Sequence, residues 1–127
     1  MPNRRRTILI VEDDAPLREI LQVLLQDYPY DFLFAENGRQ ALELDAAHAP
    51  DLVMIDLGLP DMHGFELGQE LRRRHPAESL RLVAFTGFDS AEHREQARQA
   101  GFNDFYLKPM DLEAMERTFD KILTTPA

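Results

Sequence analysis

Short apolar runs alternate along this chain with stretches of helical periodicity. Thr7-Ile8-Leu9-Ile10-Val11 is an unbroken run rich in β-branched residues and leucine, the pattern of a strand covered on both faces. Leu17, Ile20, Leu21, Leu24 and Leu25 then recur at i, i+3, i+4, i+7 and i+8, one stripe of a helix. Asp13 or Asp14 suits the N-cap of that helix and Pro16 its first turn. Residues 31–35 predict a second strand; Asn37, a possible cap, precedes a helix over 39–48 with Ala41, Leu42 and Leu44 as apolar points and Pro50 as its stop. Leu52-Val53-Met54-Ile55 predicts a third strand that ends at Asp56. A loop with Gly58, Pro60 and Gly64 leads to a helix over 65–74. A fourth strand spans 80–86, and Ser90 suits the cap of a helix that runs to Ala100 and stops at Gly101. That helix has only a shallow apolar face of Ala91, Ala97 and Ala100. A fifth strand at 104–107 precedes a helix capped by Asp111, with Leu112, Met115, Phe119, Ile122 and Leu123 on one side and residues 124–127 as a frayed end.

Strict alternation of five strands and five helices predicts an α/β fold: a doubly wound parallel sheet with helices on both faces. The chain reads as one domain over 1–127, its core about 7–123, without repeat or linker. In such a sheet the functional crevice lies beyond the carboxyl ends of the strands. Glu12, Asp13 and Asp14 follow the first strand, Asp56 ends the third, Thr86 ends the fourth, and Lys108 with Pro109 follows the fifth.

Composition narrows the partners. A net charge of −9 argues against nucleic acid, which needs a basic footprint. With no cysteine there is no disulfide, thiolate metal site or redox motif, which fits a cytoplasmic location. Arg4-Arg5-Arg6 precedes only a short apolar run before Glu12 interrupts it, too short for a signal sequence or a membrane span.

The acids change the picture most. Carboxylates from neighbouring strand ends in one crevice repel one another unless a cation sits among them. Hard oxygen ligands favour Mg²⁺, which often binds through one or two carboxylates plus a phosphate. Lys108 brings a second positive charge and Thr86 a hydroxyl. A metal, a lysine and a hydroxyl around one carboxylate suit phosphoryl transfer, with the carboxylate as nucleophile.

Four pieces, in this order and spacing, resemble the receiver domain of two-component signalling, the module of chemotaxis-type response regulators. They are Ile8-Leu9-Ile10-Val11-Glu12-Asp13-Asp14, residues 51–64 around Asp56, Phe85-Thr86-Gly87, and Asp104-Phe105-Tyr106-Leu107-Lys108-Pro109. The resemblance implies a flavodoxin-like strand order, 2-1-3-4-5. It implies Asp56 as phospho-acceptor and Mg²⁺ held by Glu12, Asp13, Asp56 and the backbone carbonyl of Gly58. Asp14 is left a capping role. Lys108 would pair with the phosphoryl group, and its bond to Pro109 would be cis. Thr86 would reorient on activation and make or fill space for Phe105, the switch aromatic where tyrosine is common. The output would be a shifted surface of fourth helix, fifth strand and fifth helix.

The implied donor is a histidine kinase or a phosphotransfer protein, and the implied receiver of the signal is a downstream protein or an output domain. Phe85-Thr86-Gly87-Phe88 and Gly101-Phe102 are closer in wording to receivers of hybrid sensor kinases, or free-standing ones, than to those of DNA-binding regulators. Neither Gly58 nor Phe88 carries an acid or amide to orient water, which predicts slow self-hydrolysis of the phosphoryl group. The expectation is a switch that assists only its own phosphorylation, not an enzyme with a separate substrate. A Mg²⁺-dependent phosphatase with an aspartyl-phosphate intermediate is the alternative, but it usually has a second acid two residues after the nucleophile, where this chain has Gly58. A flavin or nucleotide module would want a Gly/Ser/Thr-rich loop after the first strand, and Glu12-Asp13-Asp14 stands there instead.

Overall fold

The computed structural model describes residues 5–87, 91–108 and 111–124. In chain order its elements are β1 (Arg6–Val11), α1 (Ala15–Leu25), β2 (Tyr30–Ala35), α2 (Gly38–His48), β3 (Leu52–Asp56), α3 (Gly64–Arg74), β4 (Arg81–Thr86), α4 (Ala91–Gln99), β5 (Asp104–Leu107) and α5 (Leu112–Thr124). The strands form one sheet in the order β2-β1-β3-β4-β5, every pair parallel. The α/β class, the doubly wound sheet and the strand order all agree with the sequence.

Unbroken apolar runs make these strands because both faces of the sheet are covered. Successive side chains point to opposite faces. Ile8, Ile10, Leu52, Met54, Val83 and Phe85 therefore meet α1 and α5 through Leu21, Leu25, Met115 and Phe119. Leu9, Val11, Val53, Ile55, Leu82 and Ala84 meet α2, α3 and α4 through Ala41, Leu67, Leu71 and Ala97. Tyr30, Phe32 and Phe119 pack edge to face, their ring centres 5.6 to 6.0 Å apart.

Side chains close the helix ends as local chemistry demands. Asp14, not Asp13, caps α1 by accepting the Leu17 N–H. Asn37 caps α2, accepting the Gln40 N–H at 2.8 Å, and Asp111 caps α5, accepting the Ala114 N–H at 2.7 Å. Gly101, at φ +100°, terminates the α4 segment as expected. Ala49 ends α2 at φ 47°, a left-handed conformation that an alanine adopts with strain.

Several expectations change. Ile20 and Leu24 of the α1 stripe are 54% and 46% exposed, whereas Leu21 and Leu25 are buried. At about 100° per residue, the first pair sits on the flank of the helix and only the second points at the sheet. On α2 the buried residues are Gly38, Ala41 and Asp45, while Leu42 and Leu44 are half-buried. Asp45 is accommodated by His75 Nε2 at 2.8 Å and Arg74 at 3.4 Å. Leu80 falls outside β4 because its N–H bonds to the Pro76 carbonyl and its own carbonyl accepts from Arg72. Thr124 continues α5 rather than fraying. Phe88, Ser90, Pro109 and the side chain of Leu123 lie outside the described residues, and so does the expected cis Lys108–Pro109 bond.

Candidate functional site

The chain runs from β1 out to β2 and then back across to β3, so the winding reverses between β1 and β3. Their carboxyl ends frame the crevice where such folds bind ligands. The register pairs Val11 with Ile55, which brings the next residues, Glu12 and Asp56, out side by side. Asp56 pairs with Phe85, so Thr86 lies one step further on β4. Thr86 pairs with Leu107, and the Lys108 N–H donates to the Thr86 carbonyl at 2.8 Å.

The side chains converge accordingly. One carboxylate oxygen each from Glu12, Asp13 and Asp56 lies within 4.8 Å of the others. Glu12 and Asp56 are buried, and Asp13 is exposed. Lys108 Nζ reaches over both buried acids, donating to Glu12 Oε1 at 2.8 Å and to Asp56 Oδ2 at 3.1 Å. It also stands 4.9 Å from the centre of the Phe85 ring. Gly58 donates its N–H to Asp56 Oδ1 at 3.1 Å.

These contacts split the two buried acids. Burial pushes Glu12 up to about 7, against the pull of Lys108 and the Asp14 N–H. Burial also acts to raise Asp56, but the Gly58 N–H, Glu12 and Lys108 outweigh it, and Asp56 lies below the usual carboxylate range. Burial would lower Lys108, yet Glu12 and Asp56 together hold it above its ordinary value. Asp56 is thus the more acidic member of the buried pair. The donor set is all oxygen, and Lys108 reaches only two of the three clustered carboxyl groups, so the residues fit a hard divalent cation.

The loop after Asp56 is tightly folded. The Leu57 N–H donates to the Phe85 carbonyl at 3.2 Å, and the Gly64 N–H to the Leu57 carbonyl at 3.0 Å. A Cβ on Gly64 would stand 2.6 Å from Leu57 Cα, so only glycine closes the loop. His63, a histidine the sequence leaves as a surface loop residue, caps α3 by accepting the Phe65 N–H on Nδ1 at 3.1 Å. Phe105 is half-buried against the α2–α3–α4 face, with the Arg94 guanidinium 4.8 Å over its ring. Tyr106 faces the opposite side and shares a 3.0 Å hydrogen bond with Thr118.

Three contacts at or behind the site escape sequence reasoning. Arg18 donates to the Glu12 carbonyl at 2.8 Å, and Phe85 lies under Lys108. Asp61 binds the start of α2. The Phe85 and Asp61 contacts join residues far apart in the chain, so spacing carries no trace of them.

The profile of the family described as "Response regulator receiver domain" matches residues 8–120. The chain belongs to this family. The receiver is 36% identical over 104 residues to an uncharacterized 14.6 kDa protein of Leptolyngbya boryana, covering 82% of this chain and 79% of that one. It is 35% identical over 104 residues to the phosphate regulon transcriptional regulatory protein PhoB of Pseudomonas aeruginosa, covering 82% of this chain but 45% of PhoB. Among solved structures it resembles the BeF3-activated N-terminal receiver domain of Klebsiella pneumoniae RstA, with TM-score 0.84 and 26% identity over 94% of this chain and 99% of that one. A CheY-like receiver domain of Methanospirillum hungatei, at 24% identity, shares the fold with TM-score 0.87, over 96% of this chain and 97% of that one. Among the described residues no helix is long and apolar enough to cross a membrane.

Proposed function

We propose that this receiver domain is a cytoplasmic phosphoacceptor switch whose Asp56 takes a phosphoryl group from a histidine kinase or a histidine phosphotransfer protein. The observation that carries this reading is the bridge of Lys108 Nζ from Asp56 to Glu12 beside the Asp13 carboxylate. In the transfer an Asp56 oxygen forms the new O–P bond, the donor's P–N bond breaks, and its electron pair returns to the imidazole nitrogen. Glu12, Asp13, Asp56 and the Gly58 carbonyl would hold Mg²⁺, which would neutralise phosphoryl charge. Lys108 neutralises the same charge from the other side, and the Thr86 hydroxyl donates to a phosphoryl oxygen. Drawn inward, Thr86 remakes the space around Phe105, and the α4–β5–α5 surface shifts toward a form read by a downstream protein or output domain. Residues 1–127 act as one domain that assists only its own phosphorylation and dephosphorylation.

An exposed apolar flank of α1 supports docking of a protein donor there. Ile20, Val23 and Leu24 are exposed on α1, beside a groove of about 420 Å³ lined by Leu17, Leu24, Phe85, Lys108 and Met115. Lys108 sits in both the groove and the acidic site, so a partner seated there is next to Asp56. The phosphatase alternative lacks its second acid: the position two residues after Asp56 is Gly58.

Treatment with acetyl phosphate and Mg²⁺, followed by intact-mass spectrometry, tests the reading. Wild type is expected to gain the mass of one phosphoryl group and Asp56→Asn none. An equal gain in both proteins overturns it, and steady turnover of a phosphate ester would favour the phosphatase.

A further inference from the structure

The loop between Asp56 and α3 is held at a point remote from the carboxylates. Asp61 Oδ1 accepts the Gly38 N–H at 2.8 Å, and Asp61 Oδ2 accepts the Arg39 N–H at 2.9 Å. These are the first two residues of α2, so one carboxylate spans the positive end of a helix 22 to 23 positions away in the chain. Those N–H groups, the Gly38 one foremost, hold the Asp61 carboxyl below its usual range. Met62 lies directly on Gly38, where a Cβ would stand 2.6 Å from the methionine side chain. Helix α2 already has its own cap in Asn37, which takes the Gln40 N–H. Asp61 thus ties the loop to a helix whose end a second residue also caps.

We propose that Asp61 is a positioning residue for the cation site. By pinning the far end of the loop to α2, it fixes Gly58, whose N–H orients Asp56 and whose carbonyl is the backbone ligand of the proposed site. Asp61 itself does not touch the cation. This inference rests on the reading of Glu12, Asp13 and Asp56 as the Mg²⁺ site. Outer groups that orient ligands without binding the metal have large effects on affinity.

Asn37 supplies the control. Asn37→Ala and Asp61→Ala each remove one cap of α2, but only Asp61→Ala frees the loop. Calorimetric titration with Mg²⁺ is expected to show roughly tenfold weaker binding for Asp61→Ala and a change within about twofold for Asn37→Ala. Asp61→Asn, which keeps one acceptor oxygen, is expected to fall between wild type and Asp61→Ala. In the metal-free protein, ¹⁵N relaxation is expected to show the Gly58 amide loosened by Asp61→Ala and unchanged by Asn37→Ala. Equal Mg²⁺ affinities in the two alanine variants, with an unaltered Gly58 amide, overturn the proposal. Wild type that binds no Mg²⁺ overturns the reading of the site instead, and it is told apart because wild type itself then fails.

Discussion

Glu12 places a pH-dependent weight on the fold that can be isolated by one substitution. Its carboxyl moves from an ordinary 4.5 to about 7 in the folded protein, chiefly through burial. A folded-state value raised above the unfolded one contributes stability that is full below the unfolded value and is lost as pH rises through the folded one. At about 1.4 kcal/mol for each pH interval of one, the displacement from 4.5 to about 7 corresponds to about 3 kcal/mol. The loss falls between those two values. Asp56 acts in the other direction and in a separate window: its lowered value contributes stability above its ordinary 3.8 that disappears only as pH falls below it.

Glu12→Gln keeps the shape and an acceptor oxygen for Lys108 but does not titrate. Urea unfolding in EDTA at pH 5, 6, 7 and 8 gives the difference between wild type and variant. Glu12→Gln is expected to gain on wild type by about 2.5 kcal/mol between pH 5 and 8, since part of the loss has already occurred at pH 5. If the proposed Mg²⁺ site holds, the wild-type loss is expected to shrink with Mg²⁺ present, because a cation among the carboxylates would favour the ionised folded form. Parallel pH profiles for the two proteins in EDTA would refute the assignment of the buried proton to Glu12.

Other predictions follow from single features. Ala49→Gly relieves the left-handed residue at φ 47° and is expected to stabilise the protein by about 0.5–1 kcal/mol in urea unfolding; destabilisation would contradict it. Asp104 accepts from Arg81 at 2.7 Å and Lys121 at 2.9 Å, and these cations outweigh its burial and lower its carboxyl below the ordinary 3.8. Asp104→Asn is therefore expected to cost about 1–2 kcal/mol at pH 7, a gap that closes as pH falls below 3.8; a gap independent of pH would refute the ion pairing. Leu24→Lys, on the exposed flank of α1, is expected to leave stability within about 0.5 kcal/mol. It should slow phosphotransfer from a histidine phosphotransfer protein about tenfold, the equivalent of about 1.4 kcal/mol of apolar contact, without altering the acetyl phosphate reaction. Equal slowing with both donors would remove α1 as the docking face.

The elements were legible because each rests on local, periodic constraints. The run from Ile8 to Val11 and the run from Leu52 to Ile55 can only be strands sealed on both faces, and both are fully buried. The boundaries moved by a residue where a specific bond decided them, as at Leu80, whose carbonyl is taken by Arg72. The Leu17-to-Leu25 stripe showed a helix but not which part of it faces the sheet, because that angle depends on how α1 lies beside α5.

By itself, the sequence determined that chemistry-bearing residues stand at the carboxyl ends of successive strands. Strand ends in a parallel α/β sheet share one edge, so Glu12, Asp56, Thr86 and Lys108 had to arrive on the same side. Tertiary structure alone decided that Lys108 spans Glu12 and Asp56 across 96 and 52 positions of chain, that burial raises the Glu12 carboxyl, and that Asp61 fastens the loop after Asp56 to α2. Those outcomes depend on distances and solvent exclusion between segments far apart in the chain, which only the packed sheet and its helices create.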